Sequence, residues 1–150
     1  MSLIWALLLP INDITTTPDQ APAFIEIAKL DAHKNQDLAY DPKLKARQNK
    51  LYPDLKPLPS SLSAAKIFDQ IVKLAKTQEG WKIIQADESN FRLEAVATTS
   101  TLKFSDDIVI EVRPEGSRST VHMRSKSRLG RSDLGANHQR IAKFLSLLSH

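Results

Sequence analysis

"DDIVIEVRPEGSRSTVHMRSKS", residues 106 to 127, is the stretch whose reading decides the fold. In its first half Ile108, Ile110 and Val112 alternate with Asp107, Val109, Glu111 and Arg113. In its second half Val121, Met123, Ser125 and Ser127 alternate with His122, Arg124 and Lys126. A period of two with one apolar face marks β-strands, here Asp107 to Arg113 and Ser119 to Ser127. The segment between them, Pro114 to Ser117, reads as a four-residue hairpin turn. With that turn Ile110 faces Val121, Ile108 faces Met123 and Asp107 faces Arg124. A one-residue slip would set apolar groups opposite charged ones, so the pattern fixes the register to within a two-residue shift.

Upstream lie two more strand-like runs, Trp81 to Ala86 and Phe91 to Thr98. Before them Ala64, Phe68, Ile71, Val72 and Ala75 recur at i, i+4, i+7, i+8 and i+11, which is one face of an α-helix over Ala64 to Thr77. Ser63 is placed to cap it, and Gly80 lies beyond its end. Downstream, Ile141, Phe144, Leu145 and Leu148 make the buried stripe of a helix over Asp133 to Leu148, with Ser132 and Asp133 at its start. Residues 61–150 are thus expected to form an α+β domain: a helix, a four-stranded antiparallel meander and a C-terminal helix. Laying both helices across one sheet face is the economical packing. A strongly curved sheet gripping the last helix around a cavity satisfies the same periodicities.

Residues 1–60 read differently. Between positions 10 and 60 stand seven of the eight prolines, which remove backbone donors and break any sustained period. Only Ala21 to Ala32 suggests a short helix. Apolar groups still recur (Phe24, Ile25, Ile27, Leu30, Leu51, Tyr52, Leu55, Leu58), so the segment is expected to be an arm laid over the domain. Its opening, MSLIWALLLP, is far shorter than the roughly 20 apolar residues a spanning helix needs. It reads either as a hydrophobic arm packed on the domain or as an abbreviated membrane anchor through residues 3–9.

The chain has 150 residues and a net charge of +4, and it contains no cysteine. That length suits one domain with one core, and neither a disulfide framework nor a thiolate metal site can form. His33, His122, His138 and His150 share no ligand spacing, so no metal or other cofactor is expected. The charge is uneven. From Arg118 to His150 seven basic residues face Asp133 alone, a balance of +6, which leaves −2 for the rest. Such asymmetry calls for an external anionic contact or an internal acidic partner surface.

Arg124, Lys126 and Arg128 would form a basic row on one strand face, matching a polyanion or headgroup layer. The alternative is a solvated strand with ion pairs such as Asp107 to Arg124, each worth about 0.2–1 kcal/mol. Arg131, Ser132, Asp133 and Asn137 surround the start of the last helix, where free N–H groups and a partial positive charge suit a phosphate or carboxylate. The competing reading is self-capping by Ser132 or Asp133, with an arginine paired to Asp133 or Asp106. Asp106 and Asp107 are strand neighbours and face opposite ways, which excludes a joint acid/base pair. A single carboxylate, Glu94 and Glu111 included, could still act alone. No phosphate loop, nucleophile elbow or metal motif is present. Nucleic acid is not an expected partner, because the only aromatic residue of the basic segment, Phe144, belongs to the core stripe.

Taken together, "EAVATTSTLKFSDDIVIEVRPEG" and "HMRSKSRLGRSDLGANHQRIAKFL" resemble the family known as domain of unknown function 1499. The resemblance rests on Phe104, Asp106 and Asp107, then on Arg124, Ser125, Ser127, Arg128, Gly130, Ser132, Asp133, Leu134, Gly135 and Asn137. It extends through "INDITTTPDQAPAF" and "LYPDLKPL" to cover residues 11–148. The family commonly carries a histidine where this chain has Asn12 and an aspartate where it has Thr17, so no titrating role for the arm is implied. Its threonines are expected to bond their own backbone and dock the arm. The resemblance implies no established activity. It implies an envelope-associated module; the concentrated basic charge beside the start of the last helix adds the expectation of an anionic small molecule or a lipid headgroup as ligand. The alternatives are a small hydrolase-like enzyme using Asp106 or Asp107 with Arg128 and Asn137, and a structural protein-interaction domain.

Overall fold

The computed structural model describes residues 9–149, so the readings of MSLIWALLLP as arm or anchor lie outside the described residues except at Leu9 and Pro10. Nine elements follow in order: β1 (Asp13–Thr15), α1 (Leu44–Leu51), β2 (Leu58–Ser60), α2 (Ala64–Thr77), β3 (Trp81–Asp87), β4 (Arg92–Thr98), β5 (Ser105–Glu115), β6 (Arg118–Ser127) and α3 (Ala136–Leu148). Two single 3-10 turns, Ile27–Lys29 and Asp31–His33, stand where a short helix near Ala21 to Ala32 was expected.

The protein is α+β with an antiparallel sheet, but the sheet has six strands, not four. The meander β3-β4-β5-β6 is present, and the arm adds β1 and β2 one after the other along the free edge of β6. The three-residue strands are too short to show a sequence period. They are held by their partner: Asp13 pairs with Lys126, Ile14 with Ser125 and Thr15 with Arg124.

The β5–β6 register falls two residues from the expected one. Ile110 faces Met123, Ile108 faces Ser125 and Val109 faces Arg124. The cause is a two-residue turn at Gly116 and Ser117, with Gly116 at φ +66°, which extends pairing through Pro114 and Glu115. A shift of two leaves every side chain on its expected face. It does separate Asp107 from Arg124, so the ion pair read from sequence does not form.

Both long helices pack on one face of the sheet. Ile67, Phe68, Ile71 and Ala75 of α2 and Ile141, Phe144 and Leu145 of α3 close over Ile108, Ile110, Val112, Val121 and Met123. Ser63 caps α2 by accepting from the Lys66 backbone N–H. The other face is covered by the arm, where Phe24, Ile27 and Leu38 bury Val96 and Val109. This second layer explains why β6 is buried on both sides although its sequence alternates.

Candidate functional site

Arg124 shows what the arm does. Its guanidinium is 1% exposed and donates from Nε to Asp13 Oδ1 (2.9 Å) and from Nη2 to Asp13 Oδ2 (2.8 Å), a bidentate pair. It also donates to the backbone carbonyls of Pro22 (3.0 Å) and Leu38 (2.7 Å). The Phe24 ring lies 4.5 Å from its Cζ and the Tyr40 ring 5.7 Å. Burial first, and then the Asp13 carboxylate, push the Tyr40 hydroxyl up to about 12. Four donors of this arginine are thus engaged by three separate parts of the arm.

Asp107 lies on the same sheet face. Its Oδ2 sits 2.6 Å from His33 Nε2, and its Oδ1 accepts from Arg128 Nε (3.0 Å) and Nη2 (2.8 Å). The His33 contact ties the second 3-10 turn to β5, and the other ring nitrogen, Nδ1, is held within the arm 3.0 Å from Gln36 Oε1. Glu94 works in the same way. Buried on β4, it accepts the backbone N–H groups of Ile25, Glu26 and Ile27 at 2.9, 2.8 and 3.2 Å. Glu111 pairs with Arg92 and Arg113. Among the arm's threonines, Thr15 Oγ1 accepts from the Thr17 backbone, as expected of a self-bonding segment. Thr16 and Thr17 bond across to Met123 and His122. The Thr15 backbone is bonded on both sides by Gln48 of α1, donating to its Oε1 and accepting from its Nε2.

The helix face carries a second polar framework, centred on the fully buried Asn137. Its Oδ1 meets Ser125 Oγ at 2.6 Å, and its Nδ2 donates to Ser127 Oγ and Asp133 Oδ2, both at 2.8 Å. Asp133 accepts from the Gly135 and Asn137 backbone N–H groups, so it fills the anion position at the start of α3 with its own carboxylate. The helix itself begins at Ala136, three residues after the expected start, because Gly135 at φ +86° interrupts it.

The residues singled out from sequence therefore separate. Arg124 and Arg128 are paired on the arm face, Asp133 and Asn137 bond each other and β6, Ser132 lies part-buried beside them, and Arg131 is exposed on the loop. Asp106 turns to the helix face, where it pairs with Arg140 at 2.8 Å, while Asp107 turns to the arm. The convergence of Asp106, Asp107, Arg128 and Asn137 on one pocket, which hydrolytic chemistry would need, is not assembled. Among the described residues no group of three His, Asp or Glu side chains is placed to hold a metal ion, and no helix is long and apolar enough to cross a membrane.

An open cleft of about 730 Å³ lies at the end of the sheet where β3 begins and β4 finishes. Gly80, Trp81, Thr98, Thr99 and Ser100 line it, with Lys103, Arg140 and Lys143 as its cations and Glu79 as its acid. Trp81 stacks on Phe144, centroids 5.2 Å apart. Every hydrogen bond and ion pair of Arg140 leaves from Nη1, to Asp106 Oδ2, Ser125 Oγ and Asn137 Oδ1. That anchoring leaves Nε and Nη2 without a partner among the described residues, on a side chain that is 15% exposed and lines the cleft. Sequence reading missed this site because Arg140 entered it only as one more positive charge. The available signal was the i, i+3 spacing of Asn137 and Arg140, which puts both on the face that meets β6.

A second cleft, about 630 Å³, opens over Phe24, Leu38 and Tyr40 with Arg124 at its floor. Its cation is already engaged, and Asp19 and Asp37 stand at its rim.

The family model described as "Protein of unknown function (DUF1499)" matches residues 13–148. No curated protein matches. Among solved structures, the di-domain ARO/CYC BexL from the BE-7585A biosynthetic pathway is similar at 12% identity and a TM-score of 0.48, over 63% of this chain and 44% of that one. Ara h 8.0201 is similar at 10% identity and a TM-score of 0.46, over 62% of this chain and 91% of that one.

Proposed function

We propose, from the premise that the chain belongs to the DUF1499 family of proteins of unknown function, that it is a non-catalytic binding or accessory module of the cell envelope. Its ligand is anionic or amphipathic. The observation that carries this reading is Arg140, a mostly buried side chain that is fixed through one guanidinium nitrogen, has its other donors unpartnered among the described residues, and lines a cleft with Lys103 and Lys143. A carboxylate or phosphate there would be bonded by pre-positioned donors, and the Trp81 side chain offers an apolar surface for the rest of the molecule. The apolar start MSLIWALLL supports the envelope location. Among the residues first read as ligand-binding, Arg131 is exposed but does not line this cleft. Arg124, Arg128, Asp133 and Asn137 act by holding the fold.

Thermal shift and native mass spectrometry against phosphorylated metabolites, lipid headgroups and cell-wall fragments test the proposal. At a hundredfold excess over Kd, binding adds about 2.7 kcal/mol, or roughly 5–10 °C in Tm for a chain of this size. Lys143→Glu, at an exposed position, should abolish the shift with little effect on the unliganded Tm. Absence of any ligand above background, or binding indifferent to both Lys143→Glu and Arg140→Lys, overturns the reading.

A further inference from the structure

We propose that the loop tips at the end of the sheet where β5 begins and β6 finishes dock on an anionic lipid bilayer. Four of the six large apolar side chains exposed among the described residues belong to these two loops: Leu102 at 69% and Phe104 at 48% between β4 and β5, Leu129 at 71% and Leu134 at 59% between β6 and α3. The backbone brings them together. Asp106 pairs with Ser127 and Arg128 N donates to Ser105 O at 3.1 Å, so the chain enters β5 just after Phe104 and leaves β6 just before Leu129 on paired strands. Asn12 accepts from the Ser127 backbone and Ile11 from that of Asp133, which gathers the second loop around the entry of the chain. Lys103 and Leu134 hold left-handed φ values of +53°, a conformation that non-glycine residues avoid and that here turns the loop tips.

Charge completes the surface. The sequence at the tips reads TLKF and RLGRSDLG, so apolar and cationic residues are interleaved. The lone acid, Asp133, is turned inward onto the Gly135 and Asn137 amides. Exposed leucine and phenylalanine flanked by free Lys103 and Arg131 suit the headgroup boundary of a bilayer, where apolar groups enter the acyl region and cations meet anionic phosphates. An uncharged partner would not use the cations, and a soluble anion would not use the leucines. The described fold begins at Leu9 at this same end, next to Ile11, and the eight residues before it are mostly apolar in sequence.

The surface adjoins the cleft around Arg140 and shares Lys103 with it, and the assay separates the two through residues they do not share: vesicle binding lost in the Leu129 and Arg131 variants reads the tips, soluble-ligand binding lost in Lys143→Glu reads the cleft. Full-length protein is sedimented with vesicles of phosphatidylglycerol and phosphatidylcholine, and with phosphatidylcholine alone. Binding should require the anionic lipid and weaken with salt. Lys103→Gln with Arg131→Gln should lower partitioning about 25-fold, at about fivefold per cation. Leu102→Ser with Leu129→Ser should lower it about tenfold or more. Leu134→Ser is a second, independent apolar variant. All five positions are exposed, so an unchanged Tm confirms that the variants remain folded. No vesicle binding overturns the proposal. So does binding that Trp5→Ser with Leu7→Ser abolishes while the tip variants leave it intact, because residues 1–8 alone then carry it. A concentration-dependent dimer lost in the leucine variants, without vesicle binding, assigns the patch to a second copy and also overturns it.

Discussion

Replacing Asp13 by asparagine should detach the arm from the sheet at the cost of about a third of the protein's stability. The carboxylate is 2% exposed and meets Arg124, 1% exposed, through two hydrogen bonds of 2.9 and 2.8 Å. Asparagine preserves the shape but replaces one of the two carboxylate oxygens with an amide N–H₂ turned toward a guanidinium, and removes the only negative charge paired with it. Breaking a buried pair by removing one partner costs about 3–5 kcal/mol, because the remaining charge is stranded away from water. Against a total of about 5–15 kcal/mol and a urea slope near 2 kcal/mol/M, that lowers the unfolding midpoint by about 1.5–2.5 M. Urea titration followed by circular dichroism and tryptophan fluorescence measures the shift, and limited proteolysis across residues 16–40 reports whether the arm opens first. Asp13→Leu with Arg124→Met should recover at least about 2 kcal/mol relative to the sum of the singles, since the pair is then replaced rather than broken. A midpoint loss below about 0.5 M, or singles that simply add, would show that the arm is held by its apolar contacts and that the reasoning is wrong.

Two further outcomes follow from the same coordinates. His122 is pulled down from its usual 6.5 to about 4, first by burial and then by the Arg113 guanidinium. The unfolded chain therefore takes up a proton that the folded chain refuses. This contribution to stability, at most about 3 kcal/mol, is fully present above pH 6.5 and lost as pH falls toward 4. Unfolding titrations across that window should show the slope, and His122→Gln should flatten it. Gly80→Ala should destabilise by about 2 kcal/mol or more, because φ is +78° and the new Cβ would lie 2.6 Å from the Thr98 carbonyl oxygen. A Tm unchanged within a degree would contradict the packing of the cleft wall.

What was legible in the sequence is what repeats. The buried stripe of α2 and the alternation of β5 and β6 gave their elements and inward faces, because periodicity reports a local geometry. It could not choose between registers two residues apart, since both keep the same faces inward; Gly116 and the two-residue turn decided that. The arm escaped for a different reason. Its order is tertiary: β1 is three residues held by β6, and α1 contributes a buried glutamine, Gln48, that bonds the Thr15 backbone where a helix would usually present an apolar stripe. Nothing local marks Asp13 as the partner of Arg124, 111 residues away. Alternation likewise showed Arg124 and His122 pointing away from the helices, without showing that a second layer buries them.

The charge asymmetry resolves in the same terms. Of the seven basic residues between Arg118 and His150, Arg124, Arg128 and Arg140 find Asp13, Asp107 and Asp106, all three from outside the segment. The balance of +6 thus falls by three to +3 once those aspartates are counted. These pairs are buried or nearly so: Arg124–Asp13 fixes the arm, Arg128–Asp107 the chain that leaves β6, and Arg140–Asp106 ties α3 to β5, which makes them a device for a single docked conformation. Most of the motif that looked like a ligand site is therefore bonded within the domain. Function is better sought among cations that the framework leaves uncommitted or half-committed: Arg131 and Lys103 at the loop tips, and Lys143 with the free edge of Arg140 in the cleft.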